Sequence, residues 1–191
     1  MSIWKKLFGG PTQSLMTDEA PACEVGAADY PLSAWNHASL ADFGISFYCP
    51  AGWVKVPTNG ALIMRAPDAS SFAYGPELIF SPTVSLIAAD KGQMANASPE
   101  RTFSEFRRHL PSGFADAKIT DEPPFVIMSK HRANVIRLEF RKGDRRMTSL
   151  MAHVVTRSRQ YIFDGCALDP DFAGYAATFR KILQSLSVPN Q

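Results

Sequence analysis

From residue 134 to residue 142, apolar and polar side chains alternate. Ile136, Leu138 and Phe140 take one parity, and Arg137, Glu139 and Arg141 the other. This is the period-two pattern of a strand with one face on a core. Lys142-Gly143-Asp144 supplies a turn, with glycine where a positive φ is needed. Residues 147–156 (MTSLMAHVVT) read as the return strand. They are apolar on both parities, which predicts a central strand covered on both sides. A second turn at 157–160 leads into a third strand, residues 161–167. The helix that follows is marked at both ends. Asp169 is the expected N-cap, Pro170 suits the first helical position, Asp171 adds charge to the first turn, and Pro189 stops the run. Phe172, Ala176, Phe179, Leu183 and Leu186 recur at three- and four-residue steps. Ile182 widens this stripe, while Arg180 and Lys181 lie outside it. The pattern places the helix across the three strands, over Ile136, Leu138 and Phe140. Gly174 is expected at a close helix–sheet contact.

Upstream, Phe43, Ile45 and Phe47 alternate over residues 43–48, Pro50-Ala51-Gly52 turns, and residues 53–56 resume an extended run. Ala61–Arg65 and residues 83–89 read as short apolar strands, separated by a loop at 68–82 rich in Ala, Ser, Gly and Pro. Ser98-Pro99-Glu100 opens another helix. It carries Phe103, Phe106 and Leu110 on one side and Arg107 and Arg108 on the other, and Pro111 and Gly113 close it. Residues 118–122 and 125–129 flank Pro123-Pro124, a pair that belongs at a sheet edge. Short turns between consecutive strands predict an antiparallel sheet, and the helices have its faces to cover. The fold class is therefore α+β, with about six to seven strands in an α/β/α sandwich. The domain is expected over residues 43–188. Residues 1–42 form an amphipathic start and an acidic linker, with Tyr30, Leu32 and Trp35 as docking points.

At 191 residues, 46% apolar and 20% charged, the chain is one globular domain with some tail. No apolar run reaches the ~18 residues of a membrane span. Residues 1–10 lack the apolar stretch of a secretory signal, so a cytoplasmic location is expected. Three cysteines without a C-x-x-C pattern fit a reducing compartment. The net charge of +2 is uneven. Residues 11–42 hold Asp18, Glu19, Glu24, Asp29 and Asp42 with no Lys or Arg. Residues 130–159 hold nine cations (Lys130, Arg132, Arg137, Arg141, Lys142, Arg145, Arg146, Arg157 and Arg159) against Glu139 and Asp144. Such a block is either a solvated sheet face or the contact for an acidic partner, protein or anionic lipid. Its turn residues, Arg141, Lys142, Arg145, Arg146, Arg157 and Arg159, are the candidate partner-binding set. Nucleic acid is disfavoured, since no aromatic platform interleaves with the cations and the pI is a modest 8.5. A second copy of the chain stays open as a partner.

At the start of the chain, Ile3/Leu7 and Trp4/Phe8 are i,i+4 pairs beside Lys5 and Lys6. They read either as an anchor for a membrane surface or partner groove, or as a terminus that frays or docks on its own domain. Catalytic and nucleotide-binding motifs are absent, and no His or Cys pair has metal-ligand spacing. No cofactor or metal is expected. Cys49 and Cys166 read as buried small hydrophobes. The alternative is an enzyme, a hydrolase using His153 or Cys166, which on adjacent strands could form a thiol–imidazole pair.

Residues 44–53 (GISFYCPAGW) resemble the opening strand of the PsbP-like superfamily, with its Pro-x-Gly-Trp. Residues 98–110 resemble the helix after its third strand. Residues 161–188 resemble its closing pattern, an aromatic-apolar strand, a gap, and a helix ending in Leu-x-Ser-Leu-x-Val. The resemblance spans residues 43–188. It implies a PsbP-like fold, shared with DcrB-type bacterial proteins and a Ran-binding nuclear-import protein, and it implies binding or adaptor work without catalysis. An effector adaptor of a bacterial secretion system is one such role, and a peripheral membrane-associated protein is another reading of the same chain.

Overall fold

The alternating segments pair as their turns require. The structure, a computed structural model, describes residues 33–58, 61–67, 72–74, 78–80 and 82–189. Seven strands form one antiparallel sheet: β3 (Val54–Val56), β4 (Ala61–Arg65), β7 (Thr83–Asp90), β8 (Ala115–Val126), β9 (Arg132–Lys142), β10 (Arg145–Val155) and β11 (Arg159–Leu168). Their spatial order is β3-β4-β7-β11-β10-β9-β8. Strand β10 is central, and Met147 through Val154 are all buried. Strand β8 is an edge, and its register with β9 shifts between Glu122 and Phe125, at the double proline. Proline has no N–H for a ladder, so an edge and an irregularity are where it fits. Two further pairs stand apart, β1 (Trp35–Leu40) with β2 (Ile45–Pro50), and β5 (Phe72–Tyr74) with β6 (Leu78–Phe80).

Helix α1 (Pro99–His109) starts at Ser98, whose hydroxyl accepts from the Arg101 amide at 3.2 Å. Helix α2 (Asp169–Gln184) closes the domain. The helices lie on opposite faces of the sheet, the expected α/β/α sandwich. Phe172, Phe179, Ile182, Leu183 and Leu186 bury the α2 stripe against Val135, Leu150, Ala152 and Phe163. The β1–β2 ribbon shares that face: the Tyr48 amide donates to Ser185 Oγ at 2.8 Å, and Ser46 bridges to Ser187. On the other face, Phe106 of α1 and Leu110 just after it pack with Ile136, Leu138, Phe140 and Met151.

Several expectations need correction. Ile136, Leu138 and Phe140 lie under α1, not α2. Parity separates the two faces of β9 but does not say which helix covers which. The charged parity belongs to α2's side, where Arg137 sits 5.7 Å from the Phe172 ring centroid and pairs with Glu122 at 2.8 Å. Glu122 also takes Arg180 at 2.9 Å. Asp169 opens α2 without capping it; its Oδ1 accepts from Thr148 Oγ1 at 2.6 Å instead. Gly174 faces open space, and the close contact is at Gly165 of β11. The folded unit also begins before Phe43, because β1 pairs along its length with β2, and the Trp35 ring takes Lys181 at 5.0 Å. The loop at 68–82 contains the β5–β6 pair. Residues 1–32, with Ile3, Trp4, Leu7, Phe8, Tyr30 and Leu32, lie outside the described residues. No helix among the described residues is long and apolar enough to cross a membrane.

A methyl group on Gly165 would stand 2.7 Å from the Phe179 ring, under the fully buried centre of α2. Gly165→Ala is expected to destabilise the protein by about 1–3 kcal/mol through overpacking. Gly174→Ala meets nothing within 4 Å and is expected to stabilise by up to about 1 kcal/mol through helix propensity. Urea denaturation of the two variants checks the sign of each. Equal losses would mean that α2 is rotated from the orientation described.

Candidate functional site

Register separates His153 from Cys166. His153 faces α1 and has no exposed surface. Its Nε2 donates to Gln160 Oε1 at 2.9 Å, and its ring lies flat on Phe106, 4.8 Å between centroids and 1° between planes. Burial pushes the imidazole pKa down from 6.5 to about 4, partly offset by the Gln160 bond. Cys166 stands opposite Ser149, four residues along the strand from His153, which is about 13 Å. Burial and the neighbouring Asp164 push the Cys166 thiol far above the range in which a thiolate forms. Burial likewise raises Cys49 to about 11. Both cysteines are free, buried thiols of the inert kind, and the pair a hydrolase would need is not assembled. Among the described residues no group of three or more His, Cys, Asp or Glu could hold a metal ion.

The basic block divides between the two ends of the sheet. Arg157 and Arg159 flank the β10–β11 turn, beside Lys130 and Arg132 at the β8–β9 turn. Arg141, Lys142, Arg145 and Arg146 crowd the β9–β10 turn at the other end. From Arg146 to Arg157 the chain runs the length of β10, about 35 Å at strand rise. The six candidate residues are therefore not one surface. At the first end, Arg159 is engaged by Asp90 at 3.5 Å and lies over Phe43 at 5.7 Å.

The β9–β10 end is the denser one, and a groove lies against it. Gly143 makes the turn tight, with φ of 62°, so its four cations stand on two adjacent rungs of the ladder. The groove, about 190 Å³, is lined by Asp116, Lys118, Glu139, Phe140, Arg141, Arg146, Met147 and Asp169. Strand β8 brings in Lys118 by pairing it with Glu139. An irregularity between Ala115 and Lys118, with Asp116 at a left-handed φ of 53°, shapes its rim, as such bulges do at sheet edges. Each acid in the groove already has a partner. Asp116 takes Arg141 at 3.7 Å, Glu139 takes Lys118 at 3.4 Å, and Asp169 takes the Thr148 hydroxyl. Arg146 is exposed, and its side chain makes no ion pair or hydrogen bond with another described residue. Among the described residues, the groove thus holds one guanidinium without a side-chain partner, inside a ring of loosely paired, solvent-accessible charges, chemistry suited to a carboxylate. Asp116, Lys118, Glu139 and Asp169 had no local sequence signal, because pairing across strands gathers them.

No family model matches the chain, and no curated protein matches it in sequence. Solved structures do match in shape, and they place the chain in the PsbP-like fold. The PsbP of the cyanobacterium Synechocystis (CyanoP) is 13% identical, with a TM-score of 0.52 over 83% of this chain and 95% of that one. LpqN of Mycobacterium tuberculosis, a protein involved in cell envelope biogenesis, is 14% identical, with a TM-score of 0.51 over 87% and 99%. The Ran-binding protein Mog1p of Saccharomyces cerevisiae is 6% identical, with a TM-score of 0.48 over 81% and 95%. At these identities the likeness is one of fold.

Two groups on α1's face, the buried His153 and the half-buried Asp164 with its buried Oδ1, set the pH response. His153 has a folded pKa below its unfolded value, so neutral His153 is favoured in the fold. Stability is lost as pH falls below about 6.5 and the unfolded state takes up protons first, by about 2 kcal/mol at pH 5. Asp164 runs the other way: burial raises it from 3.8 to about 6, against the Ser149 hydrogen bond and the Lys142 charge. Its ionisation therefore costs stability as pH rises through that window. Relative to the wild type, Asp164→Asn is expected to gain stability from pH 4 to pH 7, and His153→Gln to gain it from pH 7 to pH 5. Denaturation midpoints across that range check both slopes, and parallel curves for all three proteins would contradict the burial of these groups.

Proposed function

We propose that the chain is a non-catalytic protein-binding or adaptor module that takes an acidic partner surface at the β9–β10 turn. The observation that carries this reading is the Arg146 guanidinium, without a side-chain partner among the described residues, in a groove whose acids are all engaged. Lys142 and Arg145 beside it raise the local positive potential and steer anions toward it. The burial and separation of His153 and Cys166 support a binding role over catalysis. A bacterial secretion-system adaptor is one setting for such a module. The free, buried Cys49 and Cys166 suit the cytoplasmic setting proposed with it.

A fluorescein-labelled decaglutamate peptide serves as the probe, read by anisotropy at low salt. Arg146→Glu is expected to weaken binding about tenfold, or about 1.4 kcal/mol. Arg157→Glu, at the far end of the sheet, makes the same change in net charge and is expected to shift binding less than about twofold. Equal losses in both variants would mean that the probe senses net charge only, and the groove would not be the site.

A further inference from the structure

Strand β8 is the long open edge of the sheet. It pairs with β9 on one side, and among the described residues no strand lies along the other. The opposite edge, β3, has only 3 residues. From Lys118 to Glu122, β8 runs in register with β9 without a break, between the irregularity at Asp116 and the double proline. Lys118, Thr120 and Asp121 in this run are exposed. One parity of its backbone N–H and C=O groups points off the sheet, and such a row is a template for another strand. Side-chain charge decides which strand fits. Lys118, Thr120 and Glu122 lie on the α2 face, where Glu122 takes Arg180. Ile119 and Asp121 lie on the α1 face, where Asp121 takes Arg107 at 2.9 Å. Two antiparallel copies of one strand are related by a twofold axis normal to the sheet. Opposite residues then share a face, and one residue at the centre meets its own copy.

A centre at Lys118, Asp121 or Glu122 sets that charge against its own copy, and a centre at Ile119 sets Asp116 against Glu122. Like charges directly opposite are destabilising. Centred on Thr120, the run has no such clash. Lys118 of each copy meets Glu122 of the other, Thr120 meets Thr120, and Ile119 meets Asp121. Glu122 is fixed in place for this by Arg137 and Arg180. The helices stand clear of the seam. Helix α1 packs over β9 and β10, so the two copies of α1 lie about four strand spacings apart, or about 19 Å, beyond the 8–10 Å of helices in contact. From the open edge and this one self-complementary register, we propose that two copies of the chain pair through β8, antiparallel about Thr120, and join their sheets into one. The seam uses about seven residues a side against the 20–30 of a standard interface, so the dimer is weak and forms with rising concentration. The pairing does not depend on the Arg146 groove.

Cross-linking of the full chain tests it, in a Cys23→Ser background that leaves only the buried Cys49 and Cys166. In the proposed register the two Thr120 Cα atoms stand about 5 Å apart, within disulfide range, and the two Asp121 Cα atoms about 8 Å apart, outside it. Under mild oxidation, Thr120→Cys is expected to form a covalent dimer at least about tenfold faster than Asp121→Cys. Sedimentation velocity from about 5 to about 500 μM gives the affinity of the unmodified chain. Lys118→Glu sets a carboxylate against Glu122 at both ends of the seam and is expected to weaken the dimer about tenfold. Equal cross-linking rates for the two cysteine variants, or a dimer that Lys118→Glu leaves unchanged, would overturn the β8 seam. A chain that stays monomeric at about 500 μM would overturn it as well.

Discussion

Eight consecutive side chains of β10, Met147 to Val154, are buried, and a strand sealed on both faces needs a cover on each. That requirement distributes the rest of the chain. Helix α2 and the β1–β2 ribbon take one face and α1 takes the other. Neither helix could be removed without exposing a row of Met, Leu, Val and Ala to water. Gly165 belongs to the same constraint. The ring of Phe179 comes so close to β11 that a Cβ has no room, and Trp53 and Phe172 then fill in around that ring.

Sealing both faces also decides where charge can go. Cations have little place over the middle of β10, so they collect at its two turns and on the edge strands. Arg137 is the exception, and it is held by Glu122 and the Phe172 ring rather than left in apolar surroundings. The other eight cations of residues 130–159 are near one another in sequence but form opposite poles in space. At one pole Arg159 is held by Asp90 and Phe43. The other opens onto the groove that Arg146 lines, and that groove gives the binding reading a definite location.

The parts legible in the sequence were those whose signals are local. The α2 stripe was in phase, with Phe179, Ile182 and Leu183 fully buried. The double proline marked an edge, and the doubly apolar run of β10 marked the centre. Strand β1 was missed because Ala38 is its one buried residue, so alternation had almost nothing to show. Which helix covers Ile136 and Leu138 was misjudged because a period-two pattern identifies a face, not its neighbour. Gly174 drew attention as a glycine in a helix, whereas Gly165 sat in an apolar strand where only the packed partner reveals its purpose. The groove was half visible: Arg141 and Arg146 stood out as charge, but Lys118, Asp116 and Asp169 reach it through pairings that span tens of residues.

Backbone amide shift mapping during titration with an acidic peptide tests the central claim most directly. The account predicts that the perturbed signals cluster at residues 141–147, with Lys118 and Asp169, and leave the Lys130, Arg132 and Arg157 end unmoved. Perturbations centred on that opposite end, or spread evenly over both, would contradict it.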